Sequence, residues 1–388
     1  MPLKYILCIV LTVSMIIITA GCSWLSPTPR QPEAQSEPQP QPEQQPVQPK
    51  PEPLPPPPPD KDLKLVAAGD IMLSANRAAG IRMAEHGYKY PFEDVKDKFT
   101  AGDIAFANME SPISTTGKKL PGKGITFRTD PIVLDGLKYA GIDIVSLANN
   151  HILDYDDPAL LDTLRLLDEA DIYRVGAGKN IGEARSPAVI EKNGLRVAFL
   201  AYSDMADIYF SNAYKKVFAA ADDKPGVAPT DIDMILEDVR AVRPQVDIVI
   251  VSLHWGVEDS NDTTSQQKEM AHSIIDAGAD AILGHHPHVL QGVEIYNGKP
   301  IVYSLGNFIF DQLKENNKQS MILEMDFTND KWTAAKAYPI YMQEKGHPVI
   351  ASGSKKDEIL NKIAELSQDM GTKTEITEDS VIFDIDKQ

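Results

Sequence analysis

The chain has 388 residues, 43% hydrophobic and 24% charged, which excludes a disordered protein and provides a core for one large or two ordinary domains. A formal net charge of -18 excludes a general nucleic-acid binder, because phosphate backbones require a basic surface. Any polyanionic substrate must therefore meet a local cationic patch or a metal ion.

In chain order, Lys4 precedes an almost wholly apolar run from Tyr5 to Ala20, closed by Gly21 and Cys22. This is the pattern of a signal peptide over residues 1–21. Small residues directly before a cysteine resemble the bacterial lipobox, with Thr19 standing where an aliphatic residue is usual. The expectation is cleavage that leaves Cys22 as a lipidated N-terminus and holds the protein outside the cytoplasm on the membrane. An uncleaved anchor is disfavoured, since the run is shorter than the roughly 20 residues that span a bilayer. Residues 22–60 are rich in Pro, Gln and Glu and end in Pro55 to Pro59, the composition of a stiff, disordered tether. Fully extended, its last 35 or so residues would reach on the order of 100 Å. Cys8 and Cys22 are the only cysteines, so disulfides and thiolate zinc sites are excluded from the folded part.

From Lys61 the pattern changes to short apolar runs separated by amphipathic stretches. Leu63 to Ala68, Ile104 to Ala107, Ile142 to Leu147, Val197 to Ala201, Val246 to Leu253, Ala281 to Leu283 and Ile301 to Ser304 read as buried strands. Helical patterns cover Pro158 to Ala170, Asp231 to Val242 and Ser265 to Ala277, the last two with Thr230 and Thr264 as expected N-caps. Strands alternating with helices predict an α/β domain over residues 61–345. A late antiparallel pair, Met321 to Phe327 with Trp332 to Tyr341, makes the sheets mixed. Residues 346–388 add a helix, Lys355 to Met370, and a strand, Val381 to Ile385, as an α/β extension packed on the domain.

Polar residues gather where the strands end: Gly69-Asp70, Asn108-Met109-Glu110, Asn149-Asn150-His151, His254-Trp255-Gly256 and Gly284-His285-His286-Pro287-His288. Residues just past the carboxyl ends of strands converge on one crevice in an α/β sheet. Singly, Asp70 reads as a helix cap, Glu110 as a solvated carboxylate, Asn149 and Asn150 as turn residues and His254 as a core histidine. Together they read as a shared metal site of nitrogen and oxygen donors, suited to Zn, Mn or Fe.

These motifs, with Tyr303-Ser304-Leu305-Gly306-Asn307-Phe308, resemble the CapA family of poly-gamma-glutamate capsule biosynthesis proteins, itself similar to the calcineurin-like metallophosphoesterases. The resemblance implies a four-layer α-β-β-α sandwich with mixed sheets and one or two divalent ions. It implies Asp70, Glu110, Asn150, His254, His286 and His288 as ligands, with Glu110 in the bridging place and His151 as the catalytic histidine. His286 is taken ahead of His285 because it keeps the His-x-His spacing with His288. Arg128, Asn149 and His285 form the expected substrate-binding set. Met72 stands where that superfamily has a ligating histidine, and Glu110 where it has a shorter aspartate.

The basic stretch Lys118 to Arg128 follows Glu110 and is a candidate rim for an anionic substrate. Lys118 and Lys119 read as solvated, and Arg77 is a weaker candidate. Three functions remain open: a metal-dependent, hydrolase-like protein acting on poly-gamma-glutamate or a similar envelope polymer; an extracytoplasmic phosphoesterase acting on phosphorylated envelope molecules; and a non-enzymatic factor that binds the polymer or capsule synthase membrane proteins.

Overall fold

The structure, a computed structural model, describes residues 60–383 apart from 209–211, 213 and 313. The signal peptide, Cys22 and the proline-rich tether lie outside the described residues. The strands that position the site are β1 (Asp62–Ile71), β2 (Ile104–Met109), β3 (Ile144–Ser146), β4 (Leu195–Ser203), β5 (Ile248–His254), β6 (Ala281–His285), β7 (Asn307–Ile309), β8 (Gln319–Thr328) and β9 (Lys331–Glu344).

One sheet runs from the C-terminal strands through β9, β8, β1, β2 and β3 to Tyr173–Val175, with β7 added beside the end of β1. Its β1, β2 and β3 are parallel, while β8 and β9 form the antiparallel pair read from the sequence. The second sheet has β4, β5 and β6 parallel and adjacent at its centre, with antiparallel strands at both edges. Both sheets are therefore mixed.

Side-chain alternation explains the layering. Leu63, Leu65 and Ala67 of β1 point to a core shared with Val197, Phe199 and Ala201 of β4 and Ile248 and Ile250 of β5. The Phe106 and Phe199 rings stack across it at 5.9 Å. On its other face β1 gives Val66 and Ala68 to Leu137, Leu160 and Leu164 of the helices Val133–Ala140 and Asp156–Glu169. Val249 and Val251 of β5 likewise meet Ile235, Val239 and Ile274 of the helices Ile232–Val242 and Ser265–Ala277. Helix, sheet, sheet, helix is the expected four-layer sandwich. The helix Gly353–Gln368 puts Ile359, Leu360 and Ile363 into the core between the sheets, and Val381–Phe383 pairs with β9.

One expected cap is corrected. Asp231, not Thr230, caps Ile232–Val242: its carboxylate accepts the Met234 N–H, whereas Thr230 lies one residue too early for that bond. Thr264 caps Ser265–Ala277 as expected, within a capping box closed by Gln267.

Candidate metal centre

The site forms where the parallel strands of both sheets end. Gly69 lets β1 approach the turn before β7, since a Cβ there would lie 1.8 Å from the Gly306 carbonyl oxygen. Asp70 is thereby placed opposite both Asn108 and Asn307. Gly284 does the same for β6, where a Cβ would stand 2.0 Å from the Tyr303 carbonyl oxygen. His285 then pairs with His254 of β5, and the chain turns through His286 (φ +94°) and His288 (φ +59°). Both are in left-handed conformations that cost on the order of 1–3 kcal/mol each, a form of strain that concentrates at functional sites.

Donor atoms collect in the crevice. His254 Nε2 lies 3.1 Å from both Asn150 Oδ1 and His286 Nδ1. Donors bound side by side to one octahedral ion at about 2.1 Å would be about 3 Å apart. Asp70, Glu110 and His288 form a second group, their ligand atoms within 4.8 Å of one another. His288 Nε2 is 3.8 Å from Glu110 Oε1, while its Nδ1 lies 2.9 Å from Asn307 Oδ1. Glu110 is fully buried, and neither of its oxygens has a hydrogen-bond partner. A carboxylate left so is costly in an apolar interior, and a cation beside it removes the cost. The oxygen and nitrogen donors present thus fit a divalent ion.

Burial and neighbouring charge set the proton affinities. Burial would raise the Asp70 carboxyl, but hydrogen bonds and charge from His285 and His288 outweigh it and hold Asp70 well below the usual range. Burial and the Asp70 charge push Glu110 well above its usual value. Burial lowers His288, but Glu110, Asp70 and Asn307 outweigh it and bring the ring up to about 9. Burial and the charge of His286 hold His254 well below the ordinary histidine value, and burial with the His288 charge brings His286 down to about 3. Both rings are therefore neutral, the form in which imidazole ligates a metal.

Around this centre stand the residues that orient it. Asn108 Nδ2 donates to Asp70 Oδ1 at 2.8 Å, and His285 Nδ1 lies 3.1 Å from the same oxygen. His285 is 1% exposed and its Nε2 has no partner. Asn149, also buried, donates to the Met109 carbonyl and Asn108 Oδ1 and accepts the His151 N–H. His151 Nδ1 lies 2.6 Å from Asp154 Oδ2, so the proton sits on Nδ1 and Nε2 is left for exchange. Asp154 also binds Lys123 Nζ and the Phe127 N–H. Burial brings His151 down to about 4, against the charge of Asp154. Met72 is fully buried and packs with Phe127, Phe310 and Met342. Its sulfur accepts the Ser74 N–H at 3.3 Å. Phe127 lies against His151 and Phe310 against His288, giving the histidines an apolar lining.

The expected ligands Asp70, Glu110, Asn150, His254, His286 and His288 therefore come together, with His285 and Asn149 beside them. Arg128 is engaged elsewhere: its guanidinium donates to the Thr116 carbonyl and lies 4.2 Å from the Tyr155 ring centre. Arg77 makes a bidentate pair with Asp311. Sequence reasoning passed over Asp154, Lys123 and Glu258. The spacing of Asp154 three residues after His151 was a usable signal. Lys123 lay within the stretch read as a substrate rim and was not singled out there, although it is only 7% exposed.

The bacterial capsule synthesis protein PGA_cap family matches residues 64–312. The PGA biosynthesis protein CapA of Bacillus subtilis is 32% identical over 335 residues, covering 83% of this chain and 85% of the relative. The capsule biosynthesis protein CapA of Bacillus anthracis is 30% identical over 310 residues, covering 78% and 73%. A crystal structure from Staphylococcus aureus in complex with alpha-ketoglutarate aligns with 77% of this chain and 57% of its own, at 11% identity and a TM-score of 0.46. With the match extending through every strand end that supplies a donor, the chain belongs to the bacterial capsule synthesis protein PGA_cap family.

Proposed function

We propose that the protein is a membrane-tethered, extracytoplasmic, metal-dependent and hydrolase-like member of its family. It acts in the synthesis, export or processing of poly-gamma-glutamate or a similar anionic envelope polymer. The observation that carries this reading is the buried Glu110 carboxyl group, without a hydrogen-bond partner, beside Asp70 and His288 and next to the close Asn150, His254 and His286 donors. The name of the Bacillus subtilis relative supports the polymer, that of the Bacillus anthracis relative supports a part in capsule biosynthesis, and the N-terminal pattern through Cys22 supports the tether.

Asp70, Glu110 and His288 would hold one ion and Asn150, His254 and His286 a second. When bound, such ions lower the pKa of coordinated water and polarise an anionic substrate oxygen. The chain's own residues do the rest. Asp154 fixes the His151 tautomer, so that Nε2 can hand a proton to, or take one from, a group in the crevice. Phe127 and Phe310 exclude water from the histidine faces.

The test is metal analysis of the purified full chain together with cleavage assays on poly-gamma-glutamate and on phosphate esters, beside Asn150→Ala and His286→Ala. Metal-dependent polymer cleavage, lost in both variants, is the expected result. Turnover of phosphate esters alone would transfer the protein to the phosphoesterase reading. Polymer binding without metal or turnover would leave only an assembly role.

A further inference from the structure

Glu258 occupies an unusual position. It is exposed, yet its carboxylate lies within 4.8 Å of ligand nitrogens of the buried His286 and His288. Among the described residues it makes no hydrogen bond or ion pair, so no protein partner explains where it sits. The chain on both sides is pinned. Upstream, Trp255 is 2% exposed, donates its N–H to the His285 carbonyl and its indole N–H to the Tyr303 carbonyl, and stacks on Tyr303. Gly256 then turns with φ +90° and donates to Asp204. Downstream, the Asp259 N–H donates at 2.9 Å to the carbonyl of Pro287, the residue between the two histidines. The Asp259 carboxylate is held by Asn317 and Lys314. The Glu258 backbone is thus tied directly to the histidine loop, and its side chain is aimed at the mouth of the crevice.

We propose that Glu258 is a metal ligand, joining the buried His286 and His288 in a two-histidine, one-carboxylate set whose carboxylate is exposed. This rests on the metal-dependent reading above and adds a donor to it. Two imidazoles and a carboxylate suit a borderline divalent cation and leave coordination positions open. The chemical division is physical: Asp70 and Glu110 are sealed from water, so an ion held by them exchanges slowly, whereas Glu258 can swing into solvent without breaking any bond. His288 is shared with the Asp70 and Glu110 group and His286 with Asn150 and His254, so occupancy at the mouth and in the interior would be linked through these two rings.

The experiment is titration of the purified full chain with Co2+, read by calorimetry and by the visible absorption of the bound ion. Wild type is compared with Glu258→Gln, Glu258→Asp, His286→Ala and the remote surface change Glu191→Gln. Exposure of Glu258 leaves no core contact to lose, and unchanged thermal midpoints in circular dichroism would establish intact folding. The expected result is affinity lowered tenfold or more with an altered spectrum in Glu258→Gln, partial recovery in Glu258→Asp and no change in Glu191→Gln. Wild-type affinity and spectrum in Glu258→Gln, with binding lost in His286→Ala, would overturn this assignment and leave the proposed function standing. A wild-type chain that takes up no metal would overturn both.

Discussion

Asp204 follows β4 and carries a carboxylate that the candidate centre does not use. Its Oδ2 accepts the Gly256 N–H, but its buried Oδ1 has no partner. Burial brings the group up to about 6 from 3.8, against the pull of that backbone N–H. Because the folded value lies above the unfolded one, stability from the protonated form is complete below about pH 4 and lost as the pH rises through about 6. The difference is worth at most about 3 kcal/mol. Asp204→Asn should flatten this part of the pH profile, and urea midpoints at about pH 4.5 and pH 7.5 would measure it. An unchanged difference between the two would remove Asp204 from the account. His151 shows the same principle with its partner present. Asp154 orients the ring, and Lys123, bonded to both Asp154 and the Asn150 carbonyl, ties that orientation to the neighbouring candidate ligand.

Elements differ in how much they tolerate. The Thr264 cap is a local device that satisfies the first N–H groups of Ser265–Ala277, so Thr264→Ala should cost about 1 kcal/mol. Gly284 is not local. An added methyl would meet Tyr303 backbone atoms, which cannot rotate aside, so β6 would have to move and carry His285 and His286 with it. Chemical denaturation should show a larger loss for Gly284→Ala than for Thr264→Ala, together with weakened metal uptake. Equal losses, with metal uptake intact, would show that β6 and the Tyr303 backbone can separate freely. The positions of the apolar runs and the Thr264 cap were legible in the sequence because each depends on neighbours within a few positions, whereas strand lengths were not: Leu63 to Ala68 extends to Asp62–Ile71 and Ile142 to Leu147 shortens to Ile144–Ser146. The Thr230 assignment failed at that same scale, since a cap is decided by which side chain reaches the third N–H, and Asp231 does so.

For the whole molecule, candidate ligands drawn from both sheets mean that a bound metal would stabilise the assembled sandwich and not its parts. At a free concentration about one hundred times the dissociation constant, binding to the folded state alone adds about 2.7 kcal/mol. Mn2+ should therefore raise the thermal midpoint and a chelator reverse the rise, while Asn150→Ala should shrink the response. A midpoint indifferent to metal in wild type would contradict the shared site. Among the described residues no helix is long and apolar enough to cross a membrane.

By itself the sequence determined the alternation of buried strands and amphipathic helices, the absence of thiols beyond Cys22 and the donors at strand ends, because side-chain periodicity and residue chemistry are written locally. Tertiary structure decided the rest. Asp70 and His285 stand 215 positions apart, and only the convergence of β1 and β6 from opposite sheets brings them to 3.1 Å. The pairing of β1 with β7 likewise decides that Asp70 faces Asn307, and no local pattern records it. Burial works the same way, since water is excluded from Glu110, Lys123 and His151 by side chains drawn from distant parts of the chain. Glu258 is the clearest case: nothing in the residues beside it marks it, and it becomes a candidate donor only because the Asp259 N–H is bonded to the Pro287 carbonyl.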